Sequence, residues 1–158
     1  MEADPVLVLE KNMGFYGADR RDFDAETPYP QIRSPRDLYR VLLHCWSSET
    51  CASSMRRHWS EDNPTLGQCS ITSFLAQDLF GGKVYGVPLE TGFIHCYNVV
   101  GDYVFDLTSE QFRGEELFYG KEHEQFREDH FALPEKQERY ENLKASFESY
   151  MRSLPKPR

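Results

Sequence analysis

The sequence predicts an α+β fold, a small antiparallel sheet packed against helices. Helix-like segments come early and last, and strand-like segments cluster between them, from 83 to 107. Two runs of β-formers, FIHCYNVV and YVFDL, are separated only by Gly101-Asp102, the pattern of a hairpin. The helix-like segments carry start and stop residues where they should, among them Ser34-Pro35 and the pair Gly81-Gly82.

Each element follows from local chemistry. Residues 1–33 hold one apolar patch at 6–9 and then a polar stretch with glycines and prolines, which reads as an arm or loop laid over the domain. Ser34-Pro35-Arg36-Asp37 starts a helix: Ser34 caps, Pro35 suits the first turn, and Asp37 complements the positive helix end. Leu38, Val41, Leu42 and Cys45 recur at helical spacing, so the helix is expected from Pro35 to about Ser47. Residues 48–67 are polar and weakly periodic, with Trp59 as an anchor on the body. A second helix is expected over 69–80, with Ile71, Leu75 and Leu79 as its apolar stripe.

KVYGVPL (83–89) is broken by Gly86 and Pro88 and reads as an edge strand. Strands at 93–100 and 103–107 form the hairpin. Thr108-Ser109-Glu110-Gln111 resembles a capping box opening a short helical turn. Residues 113–134 are charged and irregular. Residues 134–154 are amphipathic, with Tyr140, Leu143, Phe147, Tyr150 and Met151 on one face.

At 158 residues the chain is sized for one domain, 1–158, with the arm at 1–33, a core at 34–112, and a charged loop plus terminal helix at 113–158. Hydrophobic residues at 39% and aromatics at 14% are enough for a packed core. The net charge of −8 disfavours nucleic acid. No apolar run is long enough for a membrane span, and the acidic start MEADPVLVLE is unlike a signal peptide. The expected location is the cytoplasm. The four cysteines, Cys45, Cys51, Cys69 and Cys96, contain no CxxC pair, so zinc, disulfides and a thioredoxin-type motif are not expected, and no cofactor is implied.

Three residues stand out as a set. Cys69 sits where the irregular run NPTLGQ becomes a helix, so the helix dipole and its unpaired N–H groups favour a thiolate there. His95 can serve as a base and Asp106 can orient it. With Gly101 and Asp102 as the loop, Val100 pairs with Tyr103, Tyr97 lies opposite Asp106, and His95 becomes its diagonal neighbour on the same face. A four-residue loop would set the two directly opposite, and a one-residue slip would split them onto different faces. In the favoured register Cys96 points to the other face, which argues against a metal site with Cys69 and His95 and against Cys96 as a resolving thiol. Alone, each of these residues has an ordinary structural explanation; the chemistry depends on their meeting. The backbone N–H of Cys69 or the Gln68 side chain could bind an oxyanion. Trp59 either walls a cleft or anchors the core.

The runs NPTLGQCSIT, DLFGGKVYG, HCYN and DLTSEQF, with LLHCWSSET (42–50) and RYENLK (139–144), closely resemble the YunG-like family of small bacterial proteins over roughly residues 38 to 145. More distantly, a cysteine at a helix start, a histidine on a strand and an aspartate on the next strand resemble the transglutaminase-like and papain-like cysteine enzymes. That resemblance implies a papain/transglutaminase-like core and acyl chemistry, as in peptidases, amidases, deamidases and acyltransferases. It implies Cys69 as nucleophile, His95 as general base and acid, and Asp106 as orienting carboxylate, acting on a protein, peptide or small amide or ester. The chain lacks the long insertions that build the larger enzymes' clefts. The alternative is a non-catalytic binding or regulatory module on the same scaffold, which an open cleft at Cys69 would disfavour.

Overall fold

The computed structural model describes residues 14–156, so the apolar patch at 6–9 lies outside the described residues. The architecture is α+β: a four-stranded antiparallel sheet with helices packed against it. Helix α1 spans Pro35–Leu42, and the Ser34 hydroxyl accepts from the Asp37 N–H as its cap. The regular helix stops at Leu42, not near Ser47. The next N–H groups, of His44 and Cys45, reach back only three residues, to Val41 and Leu42, which tightens the chain into turns. This carries Trp46 inward, where its indole N–H donates to Thr72 Oγ1 at 2.9 Å.

Helix α2, Cys69–Phe80, starts and ends where the sequence places it. Gly81, at φ 76, closes it and donates to Gln77 O at 2.8 Å. Its burial is wider than a stripe, since every residue from 70 to 76 is buried. The small polar residues Ser70, Thr72 and Ser73 make this possible: they let neighbours approach closely, and Asn98 Nδ2 donates to Ser73 O at 2.8 Å.

The strands are β1 (Lys83–Pro88), β2 (Ile94–Val100), β3 (Tyr103–Phe105) and β4 (Glu124–Gln125), in the spatial order β3-β2-β1-β4. The β2–β3 register is the one that the Gly101-Asp102 loop requires, with Val100 opposite Tyr103 and Asn98 opposite Phe105. Gly101 has φ 62, which suits the tight turn. β3 is shorter than expected because Asp106 leaves the ladder and takes Tyr16 O as its acceptor at 2.9 Å instead. β1 is not an edge strand. β4 pairs with it at Val84 and Tyr85 only, well before Pro88, so the missing proline N–H costs no ladder bond there. Gly86 is required by space: a Cβ would lie 2.3 Å from Ile94 Cγ2.

The segment 113–134 contains β4 and helix α3, Arg127–Phe131, where an irregular run was expected. Thr108 precedes a 3-10 turn, Ser109–Phe112, but does not cap it; its hydroxyl donates to Asp106. Helix α4, Pro134–Ser153, buries Tyr140, Leu143, Phe147 and Met151 as its periodicity predicts, while Tyr150 is half-buried and stacks on His44. The main core lies between the helices and the face of β2 that carries Cys96. A smaller cluster of Val87, Tyr97 and Val99 covers the opposite face, with Tyr119 packed on it. Phe15 and Ile32 from the N-terminal segment join the main core. Among the described residues no helix is long and apolar enough to cross a membrane.

Candidate active site

The approach to Cys69 is held from several sides. Gly67 has φ +70, and a Cβ there would lie 2.6 Å from Cys51 Sγ, so both conformation and space require glycine. The buried Arg139 guanidinium donates to Thr50 O at 3.1 Å and Gly67 O at 3.4 Å, and pairs with Glu135 at 2.6 Å. Helix α4 thereby fixes the loop that delivers the cysteine. Cys69 is the first residue of α2, and no side chain caps that end, so the thiol stands beside N–H groups that have no intrahelical acceptor.

His95 and Asp106 meet as diagonal neighbours across the hairpin, with Nε2 2.6 Å from Oδ2. Both side chains are almost fully buried, at 2% and 1% exposure. Asp106 is fully engaged. Its Oδ2 also accepts from the Tyr119 hydroxyl at 2.8 Å, and its Oδ1 accepts from the Thr108 N–H at 3.1 Å and the Thr108 hydroxyl at 3.3 Å. Four donors allow a carboxylate to persist away from water. Because Nε2 is committed to Asp106, Nδ1 is the ring nitrogen left for the cavity that His95 and Cys69 both line.

The thiol has a further partner. Cys96, on the strand beside His95, also lowers the Cys69 pKa, as His95 does. Sequence alternation sends Cys96 to the face of β2 opposite His95. Cys96 faces the helix side of β2, which is where α2 docks. Among the described residues no group of three His, Cys, Asp or Glu side chains is arranged to hold a metal ion.

The electrostatics follow from these contacts. The hydrogen bond from Cys96 is the largest influence holding the Cys69 thiol well below its usual range; burial opposes it, and the bond and charge of His95 add to it. Burial pulls the His95 pKa down most strongly, but the charge and hydrogen bond of Asp106, joined by Cys69, outweigh it and raise His95 to about 10. Donation to Cys69, then burial, pushes the Cys96 thiol well up. The favoured state is therefore a thiolate on Cys69, an imidazolium on His95 and a neutral thiol on Cys96. By contrast, burial raises Cys45 to about 11 and also raises Cys51.

Cys69 is only half-buried and opens on a cavity of about 210 Å³ that also reaches His95. One wall is apolar, with Phe93 and Ile94 exposed at 54% and 44%. The other is polar and comes from α3 and α4. There His130 Nδ1 accepts from Lys136 Nζ at 3.3 Å, while its Nε2 faces Gln125 Oε1 at 3.0 Å. A lysine only donates, so His130 is the neutral tautomer, and burial followed by the Lys136 charge lowers its pKa.

Two sequence candidates lie elsewhere. Gln68 is fully buried, and its amide donates to Ser47 O at 3.1 Å, so it is not presented to the cavity or to solvent. Trp59 is not part of the cavity wall; its indole N–H donates to Pro64 O at 3.0 Å and anchors its own loop. Conversely, Tyr119, His130 and Lys136 belong to the site or its support and were not singled out from the sequence, and Cys96, set aside there as facing away, influences the Cys69 thiol. The HCY run placed Cys96 beside His95, but nothing local tied Tyr119 to Asp106. Tyr119→Phe is expected to cost about 2 kcal/mol in urea unfolding, the scale of a hydrogen bond to a charged group, while Cys69 alkylation changes less than severalfold because Asp106 keeps His95.

Fold and site together define a small α+β protein with a cysteine–histidine–aspartate cluster at the floor of an open cavity. The family model described as YunG protein matches residues 34–152, and the chain belongs to the YunG family. It is 29% identical over 114 residues to "Uncharacterized protein YunG" of Bacillus subtilis (strain 168), covering 72% of this chain and 91% of that relative. No solved structure matches.

Proposed function

We propose that this protein is a cysteine-dependent acyl enzyme, a hydrolase or acyltransferase on a papain/transglutaminase-like core. The observation that supports it most is that Cys69, at a helix start, and His95, held by Asp106 at 2.6 Å, line one open cavity. In this reading Cys69 attacks an ester or amide carbonyl. The backbone N–H groups at the start of α2 receive the oxyanion, and His95 gives its Nδ1 proton to the leaving group. Asp106 holds the ring by Nε2 and stabilises its charge. Water or another acceptor then attacks the thioester, with His95 taking the proton. The apolar wall at Phe93 and Ile94 suits an uncharged acyl or side-chain group.

The test uses p-nitrophenyl esters of short and medium fatty acids. The expected result is a burst of p-nitrophenol and a hydroxylamine-labile acyl adduct mapped to Cys69, absent in Cys69→Ser and much reduced in His95→Gln. Acylation only at Cys45 or Cys51, or none at Cys69, would refute the proposal.

A further inference from the structure

We propose that Lys136 binds a carboxylate in the cavity, so that the substrates of Cys69 are small acyl compounds with one apolar group and one negative charge. The substrate class rests on the acyl reading above; the carboxylate site does not. Lys136 is half-buried and lines the same cavity as Cys69, on its polar wall, with Phe93 and Ile94 on the apolar one.

A one-way chain of hydrogen bonds positions the lysine. Its Nζ donates to His130 Nδ1 at 3.3 Å. His130 Nε2 therefore carries the ring proton and donates to Gln125 Oε1 at 3.0 Å, and Gln125 Nε2 donates to His123 O at 2.7 Å. The same carbonyl accepts the Gly86 N–H at 3.0 Å, which ties the chain to β1. The His130 ring is itself packed edge-on against Phe74 of α2, with centroids 5.1 Å apart. A lysine has three N–H donors, and this chain uses one. Among the described residues nothing accepts the other two.

The charge is unmatched as well. Glu135, the adjacent residue and also in the cavity lining, is committed to Arg139 at 2.6 Å and to the Ser53 N–H at 3.2 Å. Those two charges cancel, and among the described residues no carboxylate lies within ion-pair distance of Lys136. His130 is neutral. The Cys69 thiolate repels an anion, so a bound carboxylate belongs at Lys136 and not over the sulfur. A cavity of about 210 Å³ is smaller than the roughly 300–1,000 Å³ of most ligand sites, so both groups belong to one short molecule. N-acyl amino acids and half-esters of short dicarboxylic acids have this chemistry.

The probe is hexanoate, and hexanamide, of equal size and uncharged, is its control. Each is titrated to high millimolar concentration against iodoacetamide alkylation of Cys69 in the full chain. Hexanoate should protect Cys69 at a concentration about threefold or more below that of hexanamide, the scale of a partly exposed charge pair. The difference should shrink at high salt. Lys136→Met should erase it, and Lys136→Arg should keep it. The wild-type titrations decide alone if a variant fails to fold. Equal protection by the two probes, no protection by hexanoate, or a difference that survives in Lys136→Met would each overturn the proposal. The p-nitrophenyl monoester of adipic acid, compared with p-nitrophenyl hexanoate, then tests the substrate class: Lys136→Met should raise KM more for the charged ester than for the neutral one. If neither ester acylates Cys69, the acyl reading fails, while the hexanoate titration still decides the carboxylate site.

Discussion

Cys69 alkylates with iodoacetamide at about pH 6 roughly ten- to a hundredfold faster than an unperturbed thiol, and His95→Ala cuts that rate about tenfold or more. The size follows from the thiolate fraction. A thiol with pKa about 8.5 is only roughly 0.3% ionised at about pH 6. A thiol held well below that value is largely ionised, though its lower basicity gives back part of the gain. Burial also slows Cys45 and Cys51, so a simple comparison with them is not sufficient. The pH profile separates the causes. The wild-type rate should be nearly flat between about pH 6 and 8, whereas the His95→Ala rate should climb with pH as an ordinary thiol does. Equal slopes in the two proteins would mean that His95 does not sustain the thiolate.

Asp106→Ala should destabilise the fold by about 3–5 kcal/mol, because it removes one partner of a buried charge pair and leaves the other. His95 loses its acceptor, and the Tyr119 and Thr108 hydroxyls lose theirs. The cost depends on pH with a definite sign. In the wild type the His95 pKa is raised to about 10, so its contribution to stability is full below its unfolded value and fades as pH rises through about 10. Without Asp106, burial, the largest single influence, pulls the histidine down with only Cys69 to oppose it, so its charged form gains far less from folding. The stability gap between the two proteins therefore widens as pH falls toward about 6.5 and below. Urea melts at several pH values measure it. A gap that is constant or narrows on acidification would contradict this account of His95. Asp106→Asn, which keeps the shape and one acceptor oxygen, should fall between the two proteins.

Much of this site was legible because a two-residue loop leaves little freedom. Gly101-Asp102 between two β-rich runs dictates the register, and that register brings His95 and Asp106 together. Cys69 was equally legible, since Gly67 before it and Gly81 after α2 bound the helix. What stayed hidden depended on packing between distant segments. Strand alternation says that Cys96 and His95 point to opposite faces, but it does not say on which face α2 docks or how close its first residue comes to the strand backbone. Tyr119 reaches Asp106 from a charged stretch with no periodicity to report its contact. β1 read as an edge strand because Gly86 and Pro88 argue for one; a two-residue β4, too short to leave a sequence signature, covers it. Gln68 and Trp59 were drawn toward the site by proximity in sequence, whereas the Gln68 amide N–H donates to Ser47 O and the Trp59 indole to Pro64 O, both away from the cavity.

The central claim is that Cys69 rests as a thiolate beside a protonated His95. Ultraviolet thiolate absorbance, taken as wild type minus Cys69→Ser across a pH titration, measures it without a substrate or a reagent. The account predicts a full thiolate signal already present at about pH 6, below the range of an ordinary cysteine. A signal that emerges only above about pH 8 would mean that the thiol is not activated, and the catalytic reading would fail with it.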